Sequence, residues 1–128
     1  MNGQEKCWAG FDLGGTKMLA CVFDAELQKL GSRRRKTRGE AGQEEGVARI
    51  VKTIDQALVD AGKKRRDLAG IGIGCPSPVD MERGVLLEAV NLGWENVKVQ
   101  QELESEYDCP VAVLNDVDAG VYGESQFG

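Results

Sequence analysis

The chain has 128 residues, enough for one domain with its own core. It is 41% hydrophobic, 5% aromatic and 29% charged, with a net charge of −5 and no histidine, which predicts an aliphatic core under a soluble, mixed-charge surface. The acidity argues against a nucleic-acid partner, and the absence of histidine excludes a Ser-His-Asp triad or a histidine-bound metal within these residues.

No apolar run approaches the roughly 18 residues that a membrane helix needs. Met1 to Lys6 is polar and lacks a signal-peptide core, so a cytoplasmic location is expected. Cys7, Cys21, Cys75 and Cys109 have no CxxC spacing and sit in or beside apolar segments, which reads as reduced structural thiols and makes a zinc site here unexpected. Two basic runs, Arg33-Arg34-Arg35-Lys36 and Lys63-Lys64-Arg65-Arg66, suit a phosphate patch; solvated turn or strand-edge charge is the favoured reading.

Residues 7–12 read as a strand, Gly14-Gly15 as a turn and 17–23 as a second strand, making a hairpin. A turn at Asp24 to Glu26 leads into a third, more polar strand over 27–37, which completes a meander. Val47, Ile50, Val51, Ile54 and Leu58 form one apolar stripe, predicting a helix over 43–61 that Gly62 stops. Leu68 to Cys75 is a short apolar strand ended by Pro76-Ser77-Pro78, and residues 85–90 suggest another. Val99, Leu103 and Tyr107 mark a second helix, 110–114 a buried strand, and 115–127 the start of a further helix. The order βββαβαβα is an α/β arrangement without repeats or a long linker.

Four segments carry chemistry. In Asp12-Leu13-Gly14-Gly15-Thr16-Lys17 the glycines permit positive φ and close approach of backbone amides to a ligand. Thr16 adds a hydroxyl, Lys17 adds charge, and the set reads as an anion nest, with Asp12 placed to hold a Mg²⁺-bound water beside phosphates. An ordinary hairpin turn accounts for the same residues about equally well. In Gly70-Ile71-Gly72-Ile73-Gly74-Cys75 the spacing and the following proline exclude a dinucleotide fingerprint; close packing or a ligand beside the strand remain open. Asn115-Asp116 follows a buried strand, where α/β sheets bind ligands, and Asp116 suits a base for a sugar hydroxyl. Taken alone, that pair reads more readily as a helix cap. Asn91-Leu92-Gly93-Trp94 suits a loop that touches a sugar, or equally a plain loop anchored by Trp94.

In this order and spacing the motifs over roughly residues 8–128, including Gly72-Ile73-Gly74-Cys75-Pro76-Ser77-Pro78-Val79-Asp80, closely resemble the ROK family (repressors, open reading frames and kinases). The resemblance implies a ribonuclease-H-like, actin-type ATPase domain with a mixed five-stranded sheet and helices on both faces. It implies ATP-dependent phosphorylation of a hexose or an N-acetylated amino sugar, with ATP and Mg²⁺ as cofactors. Asp116 then matches the catalytic base, Asn115 a sugar-hydroxyl ligand, and Gly14-Gly15-Thr16 with Lys17 the phosphate loop. Asp12 matches the carboxylate near Mg²⁺, and Ser77 and Asn91 fall in sugar-site loops. Ser77 stands where the family usually has glycine, so sugar specificity there is open.

ROK kinases also carry a Gly-His segment, a cysteine-rich zinc motif and an adenine-binding C-terminal lobe, none of which appears in residues 1–128. The chain is therefore expected to be a single N-terminal lobe, inactive alone. The face that the second lobe covers is expected to expose apolar surface and favour a homodimer. Two other readings remain: a sugar-sensing repressor of the same family, disfavoured by the roughly ten residues ahead of the Asp-Gly-Gly-Thr segment and by the acidity, and a non-catalytic binding or dimerisation module.

Overall fold

The computed structural model describes residues 5–76, 78–89 and 92–115. β1 (Cys7–Leu13), β2 (Lys17–Phe23) and β3 (Lys29–Lys36) form the meander, followed by a tight helical turn at Gly39–Ala41 and helix α1 (Gln43–Ala61). Then come β4 (Leu68–Cys75), β5 (Val79–Asp80), β6 (Val85–Ala89), β7 (Trp94–Val97), α2 (Val99–Glu106) and β8 (Val111–Asn115). The main sheet has five strands in the order β3-β2-β1-β4-β8. β1, β4 and β8 run parallel, and β2 is antiparallel to both of its neighbours.

Alternation fixes which face is buried. Cys7, Ala9, Phe11 and Leu13 of β1, Met18, Ala20 and Val22 of β2, and Ile71, Ile73 and Cys75 of β4 all point into one core. Ile50, Ile54, Ala57 and Leu58 of α1 cover them. The helix ends as its sequence predicts: Gly62 takes φ 71°, and Lys63 N–H donates to Leu58 O at 2.9 Å. Asp24 organises the second turn by accepting from the Glu26 and Gln28 amides, each at 2.9 Å. None of the four cysteines is in a disulfide. Among the described residues no helix is long and apolar enough to cross a membrane.

Three expectations change. A second, three-stranded antiparallel sheet, β5-β6-β7, follows β4. Trp94 begins its last strand and is 1% exposed, so it is a core residue with its indole packed on Gly46 of α1. Asn115 closes β8 opposite Cys75 and does not open a helix. The basic runs lie as expected, mostly exposed, on the edge strand β3 and in the turn before β4, and some of their members also fasten neighbouring elements. Strand alternation turns Arg33 and Arg35 toward α1, where Arg33 meets Asp60 at 2.8 Å and Arg35 donates to Thr53 and Gln56. Arg65 makes a two-pronged pair with Asp55 at 2.9 and 2.6 Å and lies over the Tyr107 ring. The expected final helix lies outside the described residues.

Candidate functional site

The carboxyl ends of the parallel strands β1, β4 and β8 meet at one edge of the sheet, where α/β folds bind ligands. Pairing sets the residues there side by side. Asp12 is level with Gly74, Gly74 with Leu114, and Cys75 with Asn115. Asp12 is exposed on the sheet face opposite α1, and Asn115 is half-buried. Two inter-strand spacings of about 4.8 Å separate the β1 and β8 rows, with Gly74 of β4 between them.

The β1–β2 turn is shaped by packing as much as by its glycines. Gly14 N–H donates to Lys17 O at 3.0 Å, and a Cβ on Gly14 would stand 2.5 Å from that oxygen. This corrects the expected role of the pair: neither Gly14 nor Gly15 has positive φ, and the need at Gly14 is for space. Thr37, fully buried, clamps the turn from beneath. Its hydroxyl donates to Gly14 O at 2.9 Å and its amide to Thr16 O at 2.8 Å. With both carbonyls held inward, the Gly15 and Thr16 amides find no acceptor among the described residues.

Beside the turn lies an open cleft of about 690 Å³, lined by Gly15 and Thr16, by Lys36 and Arg38, by Gly39 and Glu40, and by Leu92 and Gly93. Its far wall is assembled by tight contacts. A Cβ on Gly39 would lie 2.6 Å from Leu92 Cδ2, and the Trp94 indole N–H donates to Gly39 O at 3.4 Å. Lys36 faces the turn because it pairs with Lys17 across β2 and β3.

Of the residues singled out in the sequence, Gly15 and Thr16 line the cleft, Gly14 and Lys17 flank them, and Asp12 and Asn115 stand at the strand ends without lining it. Ser77, Asn91 and Asp116 lie outside the described residues. Lys36 and Arg38 were missed as site residues. The signal was present in the basic run, but only the β2–β3 register brings its last member to the turn.

The donors fit a phosphate chain: free amides, the Thr16 hydroxyl and the side chains of Lys17, Lys36 and Arg38, none of which has a partner among the described residues. Asp12, an exposed carboxylate at a strand end, fits the outer shell of a hard cation.

Sheet order, strand directions and this edge define an actin-type, ribonuclease-H-like ATPase lobe. The ROK family model matches residues 8–128, and the chain belongs to the ROK family. It is 29% identical over 120 residues to a glucokinase from Halalkalibacterium halodurans, covering 94% of this chain and 36% of that protein. It is 35% identical over 75 residues to a xylose repressor from Caldicellulosiruptor bescii, covering 59% of this chain and 19% of the repressor. Among solved structures, a ROK glucokinase from Streptomyces griseus in complex with glucose and AMPPNP superposes with a TM-score of 0.82 at 32% identity, over 95% of this chain and 37% of that one. The chain thus spans about a third of the length of the glucokinases it matches.

Proposed function

We propose that the protein bearing this lobe phosphorylates a hexose or an N-acetylated amino sugar with ATP. The observation that carries the reading is the Gly14-Gly15-Thr16 turn, clamped by Thr37 beside a cleft that Gly15 and Thr16 line together with Lys36 and Arg38, in a ROK chain. The turn's amides and the Thr16 hydroxyl hold the phosphates of ATP, with Lys17 adding charge. Magnesium bound with ATP neutralises charge on the phosphates, and Asp12 is the residue that would hold it through a water. Asn115, Ser77 and Asn91 position sugar hydroxyls. Asp116 accepts the proton of the attacking hydroxyl as its oxygen bonds to the terminal phosphorus and the bridge to ADP breaks. ADP leaves, the sugar keeps the phosphoryl group, and the proton rests on the carboxylate.

Half a cleft orients reactants poorly, so the reading assigns activity to the full-length protein and little to residues 1–128 as a single N-terminal lobe. A cytoplasmic homodimer that meets free ATP and sugar accords with it. In the full-length protein, Asp116→Asn is expected to lower sugar-dependent ATP turnover by at least about a hundredfold while sugar affinity changes little. Turnover equal to wild type would remove Asp116 as the base. The similarity to xylose repressors favours a second reading, a sugar sensor without catalysis; sugar binding by the intact protein with no ATP consumption for any hexose would select it.

A further inference from the structure

We propose that Arg38 forms a second, cationic wall of the phosphate site, facing the Gly14-Gly15-Thr16 turn across the cleft and gripping the phosphoryl chain of the nucleotide. The proposal rests on the kinase reading above and adds a residue to it.

Three observations converge on Arg38. First, its backbone lies in the left-handed region, at φ 51° and ψ 55°, which side-chain-bearing residues adopt rarely and at a cost. Glycine would occupy this position freely, so the arginine is not there for the backbone's sake.

Second, its guanidinium has no partner among the described residues; Arg34 and Arg66 share that, but neither lines the cleft, and most of the other arginines are used as fasteners. Arg33 and Arg65 pair with carboxylates, Arg35 donates to Thr53, and Arg49 donates to Lys36 O at 2.7 and 3.0 Å. Arg38 does not pair even with Glu40, which lines the same cleft. Lys36 and Arg38 against Glu40 leave one net positive charge in the lining.

Third, Arg38 follows Thr37, whose two hydrogen bonds fix it to the turn at 2.9 and 2.8 Å. The base of the arginine is therefore held in fixed relation to the amides of Gly15 and Thr16. A charged fork mounted on a strained, clamped backbone, beside two amides that have no acceptor among the described residues, is an arrangement for phosphate, which guanidinium binds in two-pronged fashion.

Arg38→Gly separates this role from a structural one, because it removes the charge and relieves the backbone together. In the full-length protein, thermal unfolding is expected at the same or a higher temperature, while the Kd for a non-hydrolysable ATP analogue rises about tenfold or more. In turnover, KM for ATP should rise with KM for sugar unchanged, and Arg38→Lys should recover part of the loss. Equal weakening of inorganic tripolyphosphate and the ATP analogue supports a contact to the phosphoryl chain. Weakening only of a hexose 6-phosphate overturns the nucleotide assignment, and unchanged affinity for all three overturns the proposal. A wild-type protein that turns over no sugar would fail the kinase reading, and the tripolyphosphate comparison would still decide the role of Arg38.

Discussion

Gly46→Ala tests how the cleft wall is built, because two effects of opposite sign meet there. Gly46 is in α1, where alanine normally stabilises a helix by about 1 kcal/mol. Here the added Cβ would fall well inside contact distance of Trp94 Cζ2 and Cη2, and 3.0 Å from Cε2. The indole is 1% exposed and tied to Gly39 O at 3.4 Å, so it has little room to yield. Overpacking of this kind costs about 1–3 kcal/mol, and outright expulsion of a buried Trp about 3–5. The clash outweighs the helix gain, leaving a net loss of up to about 2 kcal/mol and a fall in Tm of up to about 8 °C for a domain of this size. Thermal melts of Gly46→Ala, Trp94→Leu and the double variant read this directly, since alanine should be tolerated once the indole is gone. Stabilisation by Gly46→Ala alone, or additive single and double effects, would refute the packing argument.

Thr37→Val keeps the volume and the backbone bond to Thr16 O but removes the hydroxyl donor to Gly14 O. A loss of about 1–2 kcal/mol is expected in denaturant unfolding, together with weaker ATP binding in the full-length protein. Tyr107 is buried, with its hydroxyl within 3.0 Å of Val51 O and 2.9 Å of Asp55 Oδ1. Burial first, and then the bond to Asp55, push its pKa well above the ordinary value of 10. The folded state therefore keeps a proton that the unfolded chain gives up, so this stabilisation is full below pH 10 and declines as pH rises beyond it. Tyr107→Phe is expected to cost about 1 kcal/mol at neutral pH and to flatten the loss of stability above pH 10; an identical pH profile in both proteins would contradict the assignment.

Long elements were legible because one interaction dominates each. The stripe from Val47 to Leu58 and the stop at Gly62 mark α1 with the bounds observed, and the apolar run from Leu68 to Cys75 marks β4. The strand at Trp94–Val97 was not legible. It is four residues long, and Asn96 within it has φ 50°, which breaks the alternation that signals a strand. In the site, the Asp12 to Lys17 segment stood out because its residues are contiguous. The basic run did not, because a strand deals its members to two faces: Arg33 and Arg35 to α1, Lys36 to the side that meets Lys17. Arg38 carries no pattern at all, since neither its left-handed backbone nor its closeness to Gly15 is encoded in neighbouring sequence.

That distinction bears on the choice between kinase and sensor. The fold and the carboxyl edge of the sheet serve either activity, since both must recognise a sugar. A sensor has no need of a grip on a phosphoryl chain. Selection for sensing alone would leave nothing to maintain a strained arginine that, among the described residues, has no partner and lies beside two amides without an acceptor, since a glycine at position 38 is expected to hold the lobe as stably or more so. The turn's own amides are a weaker discriminator, because a hairpin closed by Gly14 and Lys17 presents them whether or not a phosphate arrives. The residues that separate the two functions are therefore those with a cost and no structural return, and among the described residues Arg38 is the one that meets both conditions at the cleft.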